Sequence, residues 1–272
     1  MSQITASYIE HMGSDLTVAN AARVSFNKAS DWEYSSSIAP IYSGAEHQGV
    51  NDRGHYWLPE RDAKLIRFLA TGYRTGEWQE LRNSVRECRN GNELDAILKG
   101  FKNKAQHWAP FAHPHVSLRV DMPIFLARQM VKHQIGGVWS EVSRRYVSDA
   151  PEFWFPETFH SRPVDVKQGS GDEITDYEFC RETAQRSAER ATAAYQALLA
   201  EGVAPEEARI VLPQNTMTTV VWTGSLLFWA RVCNQRLDSH AQLAAQELAH
   251  QIAEIIRPLF PVSWKELVKW YE

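Results

Sequence analysis

Between residues 113 and 137 the hydrophobic pattern changes period once, and this change constrains the fold more than any other feature of the chain. In "HPHVSLRVDMP" (113 to 123), Val116, Leu118 and Val120 alternate with polar neighbours, the spacing of a half-buried strand. Pro123 follows at a point where a helix can begin, since its missing N–H is no loss in a first turn. "IFLARQMVKH" then runs at helical spacing until Gly136-Gly137, where the chain can turn without a Cβ penalty. A strand that feeds directly into a helix, in a chain otherwise rich in helical patterns, predicts an α+β fold. We expect a modest, mostly antiparallel sheet packed with long helices.

The rest of the chain is read in the same way. "DLTVANAARVSF" (15 to 26) predicts a helix that starts at Asp15. From Asn27 to about Glu60 the period dissolves into Pro, Gly, Ser and aromatics, which predicts a long loop or lid. Helical spacing returns at 60 to 73 and again at 94 to 105, with a polar segment of mixed charge between them. A long helix is expected over 172 to 202, ended by Gly202, and "TVVWTGSLLFWARVCNQ" (219 to 235) reads as an apolar helix. The final long helix is expected to start near Ser239, with Gln242 completing a capping box.

Several function classes fall away on composition. With 272 residues, 44% of them hydrophobic, the chain is long enough for one elaborated domain over 1 to 272. A formal net charge of −4 and the lack of a long basic run speak against nucleic acid as a partner. No apolar span suits a bilayer and no opening run resembles a signal peptide, so a cytoplasmic location is expected. Cys88, Cys180 and Cys233 are dispersed, with no C-x-x-C pair, which fits reduced thiols. His113 and His115 form an H-x-H pair, but neither a carboxylate nor a cysteine follows at ligand spacing, so no metal is assigned.

Chemistry concentrates in "RQMVKHQIGGVWSEVSRRYV" (128 to 147). On a helix continued to His133, Arg128 and Lys132 would share one face, as would Gln129 and His133. If 141 to 146 were extended, Glu141, Ser143 and Arg145 would point one way and Val142, Arg144 and Tyr146 the other. Such a wall suits a phosphorylated ligand, because a guanidinium grips phosphate with two parallel bonds while Ser and Glu read polar edges. Arg209 in "ARIVLP" and Arg236 in "NQRLDSHAQ" are further cations; Arg236 is expected just before the capped start of the final long helix. A nucleophile elbow, a P-loop and a G-x-G-x-x-G turn are all missing.

These residues resemble the flavin-dependent thymidylate synthases. The family's R-H-R signature and the N-E-x-S-x-R-Y that follows it are matched by "KHQIGGVWSEVSRRY" (132 to 146). "GSDLTVANAARVSF", "HWAPFAH", "PIFLARQ", "ARIVLP" and "RLDSHAQ" match in the family's order. The resemblance implies methylation of dUMP at C5, with 5,10-methylenetetrahydrofolate as carbon donor and FAD reduced by NADPH as hydride carrier. It implies no cysteine nucleophile, and a homotetramer with shared sites. Carried over by position, Gln129, Glu141, Ser143, Arg144, Arg145 and Arg209 hold dUMP, and Arg236 sits at the pyrimidine as the catalytic cation. Lys132, His133 and Gln134 face FAD, with Ser25, His107, Tyr146, Ser225, Arg231 and His240 as further cofactor-binding positions.

The chain also departs from the pattern. Lys132 and Gln134 stand in place of two arginines, which loses a planar fork and a charge. One extra residue lies in the Gly-Gly loop, Ala109 replaces a Thr, and the segments at about 27 to 60 and 71 to 106 are longer than the family needs. Two alternatives follow from these changes: C5 methylation or hydroxymethylation of another pyrimidine nucleotide such as dCMP, or a nucleotide-binding homologue without catalysis.

Overall fold

The computed structural model describes residues 2–102, 106–163 and 169–269. In chain order the elements are β1 (Thr5–Met12), α1 (Asp15–Arg23), β2 (Glu33–Ser35), β3 (His47–Asn51), β4 (Gly54–Trp57), α2 (Glu60–Thr71), α3 (Thr75–Glu87) and α4 (Gly91–Lys102). Then come β5 (His115–Pro123), α5 (Ile124–Met130), β6 (Gly137–Glu141), α6 (Tyr177–Ala200), α7 (Pro205–Ala208), β7 (Met217–Ser225), α8 (Leu226–Arg236), α9 (Leu243–Ile256) and α10 (Pro261–Leu267). Strands and helices are mixed throughout, as the α+β expectation required. Among the described residues no helix is long and apolar enough to cross a membrane.

The chain divides into two compact units, neither of them a continuous stretch. The first takes residues up to 10, 117–224 and 232–253, and the second takes 11–116, 225–231 and residues from 254 on. In the first unit a four-stranded sheet runs in the order β1-β5-β7-β6. β6 lies antiparallel to β7, with Glu141 opposite Val220 and Trp139 opposite Trp222. Alternation along β5 buries Leu118, Val120 and Met122, and along β7 it buries Thr218, Val220 and Trp222. Helix α9 adds Ala245, Leu248, Ala249 and Ile252, all without solvent exposure.

The second unit is fixed by polar anchors inside an apolar core. Asp15 is wholly buried at the start of α1 and accepts from the backbone N–H of Val262 and Ser263, both at 2.8 Å, so it caps α10 from a distance. Burial pushes its carboxyl above the usual range while these bonds pull it down. Asp62, also wholly buried, accepts from the Arg23 guanidinium. Around them lie Val18, Ile66, Phe111, Trp229 and Trp264, with the Trp229 indole donating to the Val116 carbonyl at 3.0 Å.

Several expectations are corrected. Residues 27 to 60 are not one loop: they hold a three-stranded antiparallel sheet, β2-β4-β3, whose aromatic residues include Tyr34, Tyr56 and Trp57. The polar segment before residue 94 is helix α3. The helix expected over 94 to 105 is α4, which runs to Lys102, and residues 103–105 lie outside the described ones. "TVVWTGSLLFWARVCNQ" is strand then helix, because Thr218, Val220, Trp222 and Gly224 alternate inward and the period changes only at Ser225. The final long helix, α9, starts at Leu243 with Gln242, not Ser239, supplying the first carbonyl.

Candidate active site

Twelve of the expected site residues fall in the first unit, on loops and element ends. Helix α5 stops at Met130, so Lys132 and His133 lie in the turn beyond it and share no helical face with Arg128 and Gln129. The turn is closed by the His133 N–H donating to the Met130 carbonyl at 3.0 Å, and Gly136 takes φ +89°, which suits only a residue without Cβ. Gln129 is half-buried, and its Oε1 is a buried acceptor with no partner among the described residues. Such an atom is costly unless something donates to it.

Arg236 does not precede a capped helix start. It is the last residue of α8, and its Nε donates to His133 Nε2 at 3.0 Å. That bond requires His133 Nε2 to be an acceptor, hence a neutral ring with its proton on Nδ1. Burial, and then the Arg236 charge, push the His133 pKa down to about 4. Burial also lowers Arg236 from its ordinary value, in the direction expected of a half-desolvated cation.

The segment after β6 is a turn rather than an extended wall. Ser143 organises it: the Tyr146 N–H donates to the Ser143 carbonyl at 3.0 Å and the Arg145 N–H to Ser143 Oγ at 3.3 Å. A short polar side chain that accepts from the backbone two residues on favours a turn over an extended strand. In consequence Arg145 and Tyr146 are neighbours, with the guanidinium 5.2 Å from the ring centroid, and they do not point to opposite faces. Arg144 turns away and donates to the Asp149 carbonyl at 2.9 Å, lining a cleft of about 530 Å³ with Arg119, Asp121 and Thr219. Glu141 is held at both oxygens, by Thr218 Oγ1 at 2.8 Å and by the Trp139 indole at 3.3 Å.

Arg209 joins Arg145 through Glu206. Arg145 Nε lies 3.5 Å from Glu206 Oε2, while Arg209 Nε donates to the Glu206 carbonyl at 3.1 Å. Two cations from distant parts of the sequence thus meet over one residue of α7. In the sequence the only signal for Glu206 is its place three residues before Arg209 in "PEEAR". Thr218 carries no signal, since it lies just before the stretch 219 to 235 that reads as helix and belongs to no motif.

His240 sits in an exposed turn, where its N–H and ring Nδ1 both meet Asp238 Oδ1 and hold that carboxyl below its usual range. Ser25, His107, Ser225 and Arg231 belong to the second unit. There Ser225 is buried and accepts from the Phe228 N–H, capping α8, and His107 stands 5.2 Å from the Phe68 ring. Cys233 is buried, and its thiol is pushed far up by burial, so it cannot serve as a thiolate.

Residues 7–262 match the family described as thymidylate synthase complementing protein. The flavin-dependent thymidylate synthase of Thermosipho melanesiensis is 34% identical over 180 residues, 65% of this chain and 78% of the relative. That of Kosmotoga olearia is 28% identical over 265 residues, 96% of this chain and 89% of the relative. The crystal structure of the UMP/dUMP methylase PolB from Streptomyces cacaoi, bound with 5-Br dUMP, has the same fold, with a TM-score of 0.67 at 24% identity over 97% of this chain and 94% of that one. The chain belongs to the thymidylate synthase complementing protein family, the flavin-dependent thymidylate synthases.

Proposed function

We propose that the chain, working as one domain over residues 1 to 272 and as a cytoplasmic homotetramer, converts dUMP to dTMP. The carbon comes from 5,10-methylenetetrahydrofolate and the reducing equivalents from NADPH by way of FAD. The observation that carries the reading is the meeting of Arg145 and Arg209 at Glu206, close in sequence to Ser143 and Tyr146. Two exposed guanidinium groups, one on the turn at Ser143 and one at the end of α7, are the donor set for a 5′-phosphate. The pinned carboxylate of Glu141 and the unpartnered Oε1 of Gln129 are acceptors suited to N–H and O–H groups of a nucleoside.

Arg236 is the group assigned to the pyrimidine. A cation there stabilises negative charge that develops on the ring oxygen as C5 becomes nucleophilic, which replaces the activation a thiolate would give. Its Nε is already committed to a neutral His133, which leaves its other donors to turn toward the base. The residues also fit a flavin: Lys132 offers an exposed ammonium to a diphosphate and Gln134 an exposed amide, beside the uncharged His133 imidazole. Bound there, reduced flavin supplies the hydride that completes the methyl group. Arg144, Ser25, His107, Tyr146, Ser225, Arg231 and His240 stay as positions assigned through the family.

The decisive experiment is a flavin spectrum of the purified protein under anaerobic NADPH, with and without dUMP, followed by mass analysis after addition of the folate. Flavin reduction, reoxidation by folate and dUMP, and a product heavier by one methylene establish the activity. The same assay with UMP and dCMP tests the second reading, which Lys132 and Gln134 motivate; turnover of dCMP in place of dUMP overturns the first.

A further inference from the structure

We propose that Glu206 masks the nucleotide site's Arg145 guanidinium, holding it until a dianionic 5′-phosphate displaces its carboxylate. The inference rests on the nucleotide reading given above, but it has its own observations. Arg145 Nε and Glu206 Oε2 are 3.5 Å apart, with side chains 52% and 53% exposed. An ion pair so open to solvent is weak and exchangeable, and it can be replaced by a better anion.

The backbone makes the exchange clean. Arg209 binds the main-chain carbonyl of Glu206, a contact that survives any change of the side chain. Arg145 is retained over its turn by the Ser143 hydroxyl at its own N–H and by the Tyr146 ring beside its guanidinium. Release from Glu206 therefore frees the Arg145 fork without dismantling the pair of cations. A phosphomonoester near neutral pH carries close to two negative charges and three acceptor oxygens, so it outcompetes a carboxylate of one charge. A monoanionic carboxylate gains little by the exchange, and an uncharged nucleoside cannot drive it.

Isothermal titration of the full chain tests this, comparing wild type with Glu206→Gln and with Glu207→Gln. The second variant removes the same charge from the neighbouring position, whose carboxylate is not the one against Arg145. The probes are dUMP, deoxyuridine and inorganic phosphate. Glu206→Gln is expected to bind dUMP and inorganic phosphate about two- to fivefold more tightly, the range an exposed ion pair is worth, with deoxyuridine unchanged. Glu207→Gln is expected to match wild type, and an unchanged melting temperature shows that both variants are folded. Equal or weaker phosphate binding by Glu206→Gln, the same gain in Glu207→Gln, or no phosphate binding in any form overturns the proposal. Tighter phosphate binding in a protein that never binds dUMP sustains the role of Glu206 and removes the nucleotide reading instead.

Discussion

Arg23 with Asp62 in the second unit and Arg145 with Glu206 in the first are the same chemical pair in two surroundings. Asp62 has no solvent exposure, whereas Glu206 is half open to water. In the first case the partner must be present, because a lone buried carboxylate has lost its hydration with nothing in exchange. In the second, water screens both charges and the pair can part and re-form at little cost. Burial, then, separates an ion pair that holds the fold from one that can answer to a ligand. The same contrast applies to Asp15, sealed beneath two backbone donors of α10, and Glu141, pinned at both oxygens on an exposed strand end.

The contrast can be broken from the buried side first. Arg23→Ala is expected to lower stability by about 3 kcal/mol, read from denaturant unfolding, because it leaves the buried Asp62 only the longer 3.8 Å contact to Arg61; a loss below ~1 kcal/mol would place that pair with the exposed ones. At the polar end of α8, Arg236→Ala should cut kcat by about 100- to 1000-fold, the loss of one preorganised charge at a transition state. Flavin absorbance should persist in that variant, and a normal kcat would move the pyrimidine elsewhere. Arg145→Ala is expected to raise the KM for dUMP by roughly ten- to a hundredfold, since a charged hydrogen bond is worth about 1.5–3 kcal/mol. Steady-state kinetics with kcat held near wild type would distinguish this from a collapse of the turn.

The pH dependence is a smaller effect. His133 has a folded-state value of about 4 against an ordinary 6.5, so the unfolded chain takes up a proton that the native state refuses. Its contribution is present in full above about 6.5 and is lost as pH falls from there toward about 4. Melting curves across that window should slope downward at low pH, and His133→Gln should flatten the slope. A slope that is unchanged in the variant would mean the Arg236 bond does not fix the neutral ring. The gain expected of Glu206→Gln is the smallest change of the set, as suits the more exposed of the two pairs.

The residue types that make up the candidate site were legible in the sequence. Gln129, Glu141, Ser143, Arg145, Arg209 and Arg236 could be named from residue type, spacing and family order. Their geometry was less legible. β7 read as helix because its outward Thr219, Val221 and Thr223 differ little in polarity from inward Thr218, and the apolar run continues into α8. α3 read as a polar connection because no residue on it is fully buried, so its apolar positions make a faint stripe. β2, β3 and β4 are three to five residues long, too short for a period to stand out from the surrounding turns.

By itself, then, the sequence determined the period switch at Pro123, the helix-breaking glycines, the supply of cations and the family order of motifs, all of which are local or linear properties. Only the tertiary structure decided that the chain after Glu141 turns at Ser143, that Arg145 finds Glu206 while Arg144 faces another cleft, and that Arg236 ends one helix against His133 instead of preceding another. The physical reason is common to all three. A side chain's neighbours and its dielectric surroundings are set by contacts between residues far apart along the chain, and these exist only once the backbone has closed around them.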